Sequence, residues 1–277
     1  MSPVYSRRTL RQSLGRDWLH DTIIGQTSGS WGTQAGSLNI VDRNQADPTA
    51  SGEQLYYRHW LRLLGSAGHI QDTRVGSFNT GSGAYLAAVT AATTIFSGMP
   101  FEVHALISPA DKDRAIDAVI KDVRYRQELA IWAIDQGHIY SLGADVLDVI
   151  DVRYFSDPTD SLSRGEGHPH WFRFEQTASR NELRIAPSLL PSYQLVIDAI
   201  LAPSLGAGDL ATVNLPSDEW ALSGAAARCY WMLEQRAPGQ ETSKYKERRQ
   251  EAAREYTRLS NRFQPMIARR IQLDEPY

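Results

Sequence analysis

Cysteine is almost missing: the chain of 277 residues has one, Cys229. A lone thiol excludes a disulfide framework and any cysteine-based zinc or iron–sulfur site. Lysine is scarce too, with 4 residues against 25 arginines. Arginine's planar, permanently charged fork suits bidentate protein–protein contacts, and genome base composition produces the same bias. Long apolar runs are lacking: residues 130–134 and 195–197 fall far short of the ~18 needed for a membrane helix. No apolar segment follows Arg7 and Arg8, so the reading is of a soluble protein made inside the cell without a secretory signal. What is present is an ordinary globular profile, 42% hydrophobic and 22% charged, which excludes wholesale disorder, collagen and coiled coil. The length allows two modest domains or one large one.

The formal charge of −3 conceals an asymmetry. Residues 1–20 hold four Arg and one Asp, residues 241–270 nine Lys/Arg against four Glu, and residues 21–240 carry a net −9. Basic ends around an acidic middle suggest assembly surfaces of opposite sign.

Along the chain, Ser6 caps a short helix with Leu10 and Leu14 on one face, and Gly15 is the expected stop. Residues 21–105 alternate Gly, Ser and Thr with short β-prone runs, which predicts a small sandwich or barrel. Residues 108–126 read as a helix: Ser108 caps it, Pro109 suits its first turn, and Ile116, Val119, Ile120 and Val123 form its stripe, with Lys121, Arg124 and Arg126 near its end. A second β-rich stretch follows, with strand-like runs at 138–142, 151–155, 171–175, 183–185 and 193–200. Ser217 then caps a helix rich in Ala and Gly, and a basic helix from about Thr242 to Phe263 carries Tyr245, Ala252, Tyr256, Leu259 and Phe263 on one stripe. The short connection predicts an antiparallel hairpin. The expected class is α+β, with domains 1–20, 21–105, 106–210 and 211–277.

Residues 165–170 (GEGHPH) supply two imidazoles and a carboxylate, chemically suited to zinc or iron, but no second cluster has ligand spacing, which favours a solvent-facing loop. The glycine-rich residues 76–83 lack both the Lys-Ser/Thr ending of a phosphate loop and a dinucleotide fingerprint, and read as a turn between strands. No G-x-S-x-G elbow is present, the carboxylates are scattered, and Cys229 reads as a packed small hydrophobe. No catalytic, metal or cofactor site is expected. The basic helix is the strongest charge feature. Its arginines Arg248, Arg249, Arg258 and Arg262 are candidate inter-subunit or partner contacts, while Glu247, Glu251 and Glu255 can equally pair them along the helix.

The order of segments resembles the head–tail connector (adaptor or neck) proteins of tailed bacteriophages. The likeness is carried by residues 8–17 (RTLRQSLGRD), 52–60 (GEQLYYRHW) with 76–95, 108–120 (SPADKDRAIDAVI) and 221–233 (ALSGAAARCYWML). The resemblance implies a non-enzymatic virion protein, a homo-oligomeric ring, commonly twelve-fold, that joins portal to tail or neck proteins. DNA would pass through its lumen without sequence specificity. It also implies a portal contact through Arg269, Arg270 and the tail to Tyr277. Two alternatives stay open: a metal-dependent hydrolase using His168 and His170, and a tail or baseplate structural module.

Overall fold

The computed structural model describes residues 4–28, 38–41, 56, 58–66, 68–79, 82–87, 95–132, 139–155, 168–169, 172–176, 181–185, 194–203, 205–206 and 208–263. The class is α+β, and the chain forms two compact units. One combines residues 1–120 with 205–259, and the other holds residues 121–204 with the chain from Ser260 onward. The N-terminal helix, the β-domain and the hairpin therefore share one unit, interrupted by the other.

In the first unit, strands β2 (Thr22–Gln26), β8 (Pro100–His104), β4 (Trp60–Gly65) and β5 (Gly68–Arg74) form an antiparallel sheet in that order. A second sheet orders β3 (Leu38–Val41), β7 (Ala84–Ala87) and β6 (Ser77–Asn79). Leu61, Leu63, Phe101 and Val103 from the first sheet share one buried cluster with Phe78 and Tyr85 from the second. Ring contacts stitch it together: Phe78 lies 4.7 Å from Tyr85, and Tyr85 5.5 Å edge-on from Phe101. The 21–105 region is thus sandwich-like. None of its described sheets closes on itself, so the barrel alternative is corrected. Residues 76–83 fall at the β6–β7 hairpin, where Ser82 donates to Asn79 and Gly83 takes φ 67°.

Ser6 caps α1 (Arg7–Ser13) as expected, its hydroxyl accepting from the Thr9 amide. Gly15 does not stop the helix. The chain continues as a π-helical turn over Leu14–Trp18. Gly15 is required for another reason: a Cβ there would lie 1.9 Å from Thr22 Oγ1 and 2.9 Å from Lys112 Nζ. Before α1, β1 (Val4–Ser6) pairs with β16 (Thr212–Asn214).

Helix α2 (Pro109–Asp122) begins on the Ser108 cap, which accepts from the Asp111 amide at 3.1 Å, and buries Ala115, Ile116, Val119 and Ile120. It ends four residues before the expected 126. Arg124 turns back onto the carbonyls of Lys121 and Val123, and Arg126 lies on β9 (Tyr125–Trp132), where it pairs with the buried Asp198. Helices α3 (Asp218–Arg236) and α4 (Gln240–Phe263) form the hairpin; Ser217 precedes α3 without a side-chain cap bond. Small residues let the helices approach: a Cβ on Gly224 would lie 2.8 Å from the Tyr256 ring and 3.0 Å from Val119.

The second unit orders β12 (His168–Pro169), β11 (Val146–Phe155), β15 (Gln194–Leu201) and β9 in one antiparallel sheet. The other orders β10 (Ile139–Leu142), β14 (Asn181–Ile185) and β13 (Phe172–Gln176). Val149, Val152, Leu195 and Ile197 are buried.

Candidate functional site

Two constellations stand out, one buried and one exposed. The buried one begins with the N-terminal arginines. Arg7, Leu10, Arg11 and Leu14 share one helical stripe, and all four are buried. Arg7 pairs with Asp117 at 2.7 Å and donates to the Gly206 carbonyl, while Arg8 pairs with Asp209 at 2.8 Å. Arg11 grips Glu102 on β8 bidentately at 2.9 and 3.1 Å and also reaches Asp113 at 2.9 Å and Asp209 at 2.6 Å. Asp113 passes the chain on to Arg62, which is bidentate to Asp72 at 2.7 Å. The expectation that the basic N-terminus forms an outward assembly surface is corrected: three of its four arginines turn inward, and Arg16 is neutralised by Asp17.

The antiparallel register sets the rest. Thr22 and Trp60 lie opposite His104 on the two sides of β8. His104 Nε2 lies 3.0 Å from Glu102 and its Nδ1 2.9 Å from Lys112 Nζ, which also pairs with Asp21. A carboxylate only accepts and an ammonium only donates, which assigns neutral imidazole with the proton on Nε2. Burial brings the His104 pKa down to about 4, helped by Lys112 and opposed by Glu102. Burial pushes Glu102 up, but His104 and Arg11 outweigh it and hold the carboxyl well below its usual range. Burial likewise lowers Lys112 despite Asp21. Because Arg11, Glu102, His104 and Lys112 have fully buried side chains, this network acts as a clamp joining α1, β8, α2 and the 206–209 segment.

The exposed constellation lies on the hairpin. Ala252 and Leu259 are buried as the stripe requires, and Tyr245 stacks on Tyr230. Outside that stripe, Ala227, Arg228, Trp231, Arg249, Gln250 and Ala253 line a groove of about 490 Å³ between α3 and α4. Trp231 keeps 51% of its surface in solvent. An indole beside arginines over an alanine floor has the composition of an interface centre. Cys229 packs inside α3, with burial pushing its thiol up to about 12.

The four candidate arginines all fall on α4. Arg248 and Arg258 make exposed i, i+3 pairs with Glu251 and Glu255, Arg249 crosses to Glu234 on α3 at 3.0 Å, and the Arg262 guanidinium lies 5.3 Å from the Phe263 ring centre. Arg269, Arg270 and Tyr277 lie outside the described residues, as do His170 and the side chain of His168. Among the described residues, no group of three or more His, Cys, Asp or Glu could hold a metal ion, and no helix is long and apolar enough to cross a membrane.

Sequence reading missed both the clamp and the Trp231 groove. The partners of Arg11 lie 91, 102 and 198 residues away, beyond any local motif. One signal was present: Arg7 and Arg11 on the stripe of Leu10 and Leu14, and Lys112 on that of Ile116 and Val119, are cations at core positions. No protein-family model matches the chain, and no curated protein matches it.

Proposed function

We propose that this protein is a head–tail connector of a tailed-bacteriophage virion, a ring-forming structural protein that joins portal to tail and leaves a passage for DNA. The observation that carries the reading is the hairpin surface, where a half-exposed Trp231 sits in a groove beside Arg228 of α3 and Arg249 of the long basic helix α4. Such a surface fits protein docking, and it belongs to the last of the segments whose order resembles the connector family. Arg248, Arg249, Arg258 and Arg262 are the proposed inter-subunit or partner contacts, and Arg269, Arg270 and Tyr277 the proposed portal contacts. The exposed pairs of Arg248 and Arg258 can exchange partners at small cost, since solvent screens surface ion pairs.

Native mass spectrometry and negative-stain imaging of the protein alone, and mixed with the candidate portal, test the reading. A ring, formed alone or on portal, supports it. A monomer indifferent to portal refutes it. Charge reversal of Arg248 and Arg249 that leaves assembly intact removes the basic helix from the interface.

A further inference from the structure

The groove has a complementary surface on the other unit. Residues 121–204 carry twelve Asp/Glu against eight Lys/Arg. Four of those carboxylates lie on the sheet of β9, β15 and β11, where Glu128, Asp198 and Asp151 lie opposite one another across three strands. Asp148 lies in the neighbouring row with Ile200 and Arg126. Arg126 covers the buried Asp198, and Arg153 pairs with Glu128 and Asp151, so three carboxylates reach the surface there beside two arginines, one of them already claimed by Asp198. The register slips between Val149 and Asp151, and Ile150, the residue at that irregularity, is 37% exposed. A bulge re-aims a side chain in this way. The patch therefore offers an apolar residue between carboxylates.

The groove offers the inverse. Lys246 precedes Arg249 and Gln250 by one helical turn, and Arg254 follows Gln250 by one turn. Both are exposed, and neither makes an ion pair with a described residue. With Arg228 and Arg249 they put four cations on or beside the groove, against Glu234 and Glu247, the latter one turn before Gln250.

We propose that the Trp231 groove of one copy receives the Ile150 patch of a second copy, a head-to-tail contact between basic hairpin and acidic sheet. The inference rests on the ring reading above and names the partner of that same hairpin surface. Because groove and patch are different surfaces of one chain, every copy presents both. Such a contact closes into a ring at a fixed rotation and otherwise grows into a filament. Buried indole and Ile150 supply the attraction, and the charges select register and orientation.

Sedimentation velocity of the full chain, at low and high salt and in the presence of the portal, tests it. Three variants are compared after circular dichroism confirms their folding: Trp231→Ala, the pair Lys246→Glu with Arg254→Glu, and the pair Glu128→Lys with Asp148→Lys. Trp231→Ala is expected to weaken self-association on the order of tenfold or more. Each charge-reversed pair is expected to abolish it alone, and mixing the two is expected to restore it, since the acidic groove then meets the basic patch and the native groove of one variant meets the native patch of the other. High salt weakens the wild-type contact. Self-association unchanged by all three variants overturns the inference while leaving portal binding, and hence the connector reading, standing. Rescue by mixing in a protein that grows open filaments rather than rings and ignores the portal establishes the contact and refutes the connector reading. A chain monomeric alone and on portal refutes both.

Discussion

Replacing Arg11 with Met isolates what the buried clamp contributes. Arg11 and Glu102 are both fully buried, and Arg11 supplies two of the hydrogen bonds that Glu102 accepts. In Arg11→Met, Asp113 keeps Arg62 and Asp209 keeps Arg8. Glu102 keeps only Gln12 and the neutral His104. Methionine fills the volume of the lost stem, so the dominant effect is a carboxylate buried without its counter-ion. Breaking one side of such a pair costs about 3–5 kcal/mol. In the Arg11→Met/Glu102→Gln double variant the stranded charge is gone, and at least half of that loss should return. Burial alone pushes Glu102 up, so in the single variant its carboxyl takes a proton more readily and the penalty shrinks as pH falls. Because the chain has two units, the assay is amide hydrogen exchange of α1 and β8 across a urea series, which reads the clamp separately. A loss below about 1 kcal/mol for Arg11→Met, or no recovery in the double variant, would refute this account of the network.

Acid should loosen the same unit. The folded chain holds His104 near 4 against 6.5 when unfolded, so between those values the unfolded state binds the extra proton and stability falls with pH, by at most about 3 kcal/mol. Glu102, held below its unfolded value of 4.5, adds a further loss as pH drops through that value. His104→Gln should flatten the first part of the urea-midpoint profile, between about 6.5 and 4.5; a slope unchanged there would exclude His104 as its source. Gly224→Ala places a methyl 2.8 Å from the Tyr256 ring. The crowding, about 1–3 kcal/mol, should exceed the ~1 kcal/mol that alanine adds to helix propensity, so thermal melting should move down; a higher midpoint would show that Tyr256 yields freely.

Local patterns were legible and distant partners were not. Ser6 and Ser108 as caps, the Ile116–Val119–Ile120 stripe, the strands around 139–142, 151–155, 172–175, 183–185 and 194–200, and the hairpin with its Ala252–Leu259 stripe each depend on residues within two turns or one strand. Gly15 was misread because a glycine at a helix end and a glycine under a crossing side chain look alike in sequence; only Thr22 and Lys112 distinguish them. Arg124 and Arg126 complement a helix C-terminus by charge, yet the buried Asp198 claims Arg126 for a strand. At the candidate site, the α4 arginines stood out through charge density, whereas the Trp231 groove needs the α3–α4 pairing to bring Ala227 beside Ala253.

The clamp also sets a schedule for synthesis. Arg8 finds Asp209 across 201 residues of chain, and residues 121–204, which hold every described strand of the second unit, lie between them. At about 5–20 residues per second, some 10–40 s pass on the ribosome between the emergence of those two side chains. During that interval most of the later unit can pair its strands, because nearly all of them are already made. The earlier unit, whose first helix carries three arginines meant for its interior, must wait. Helix α1 is therefore made long before its partners at 206 and 209 and is among the last segments to lock, and an inserted unit that folds promptly shortens the distance its closing contacts must search.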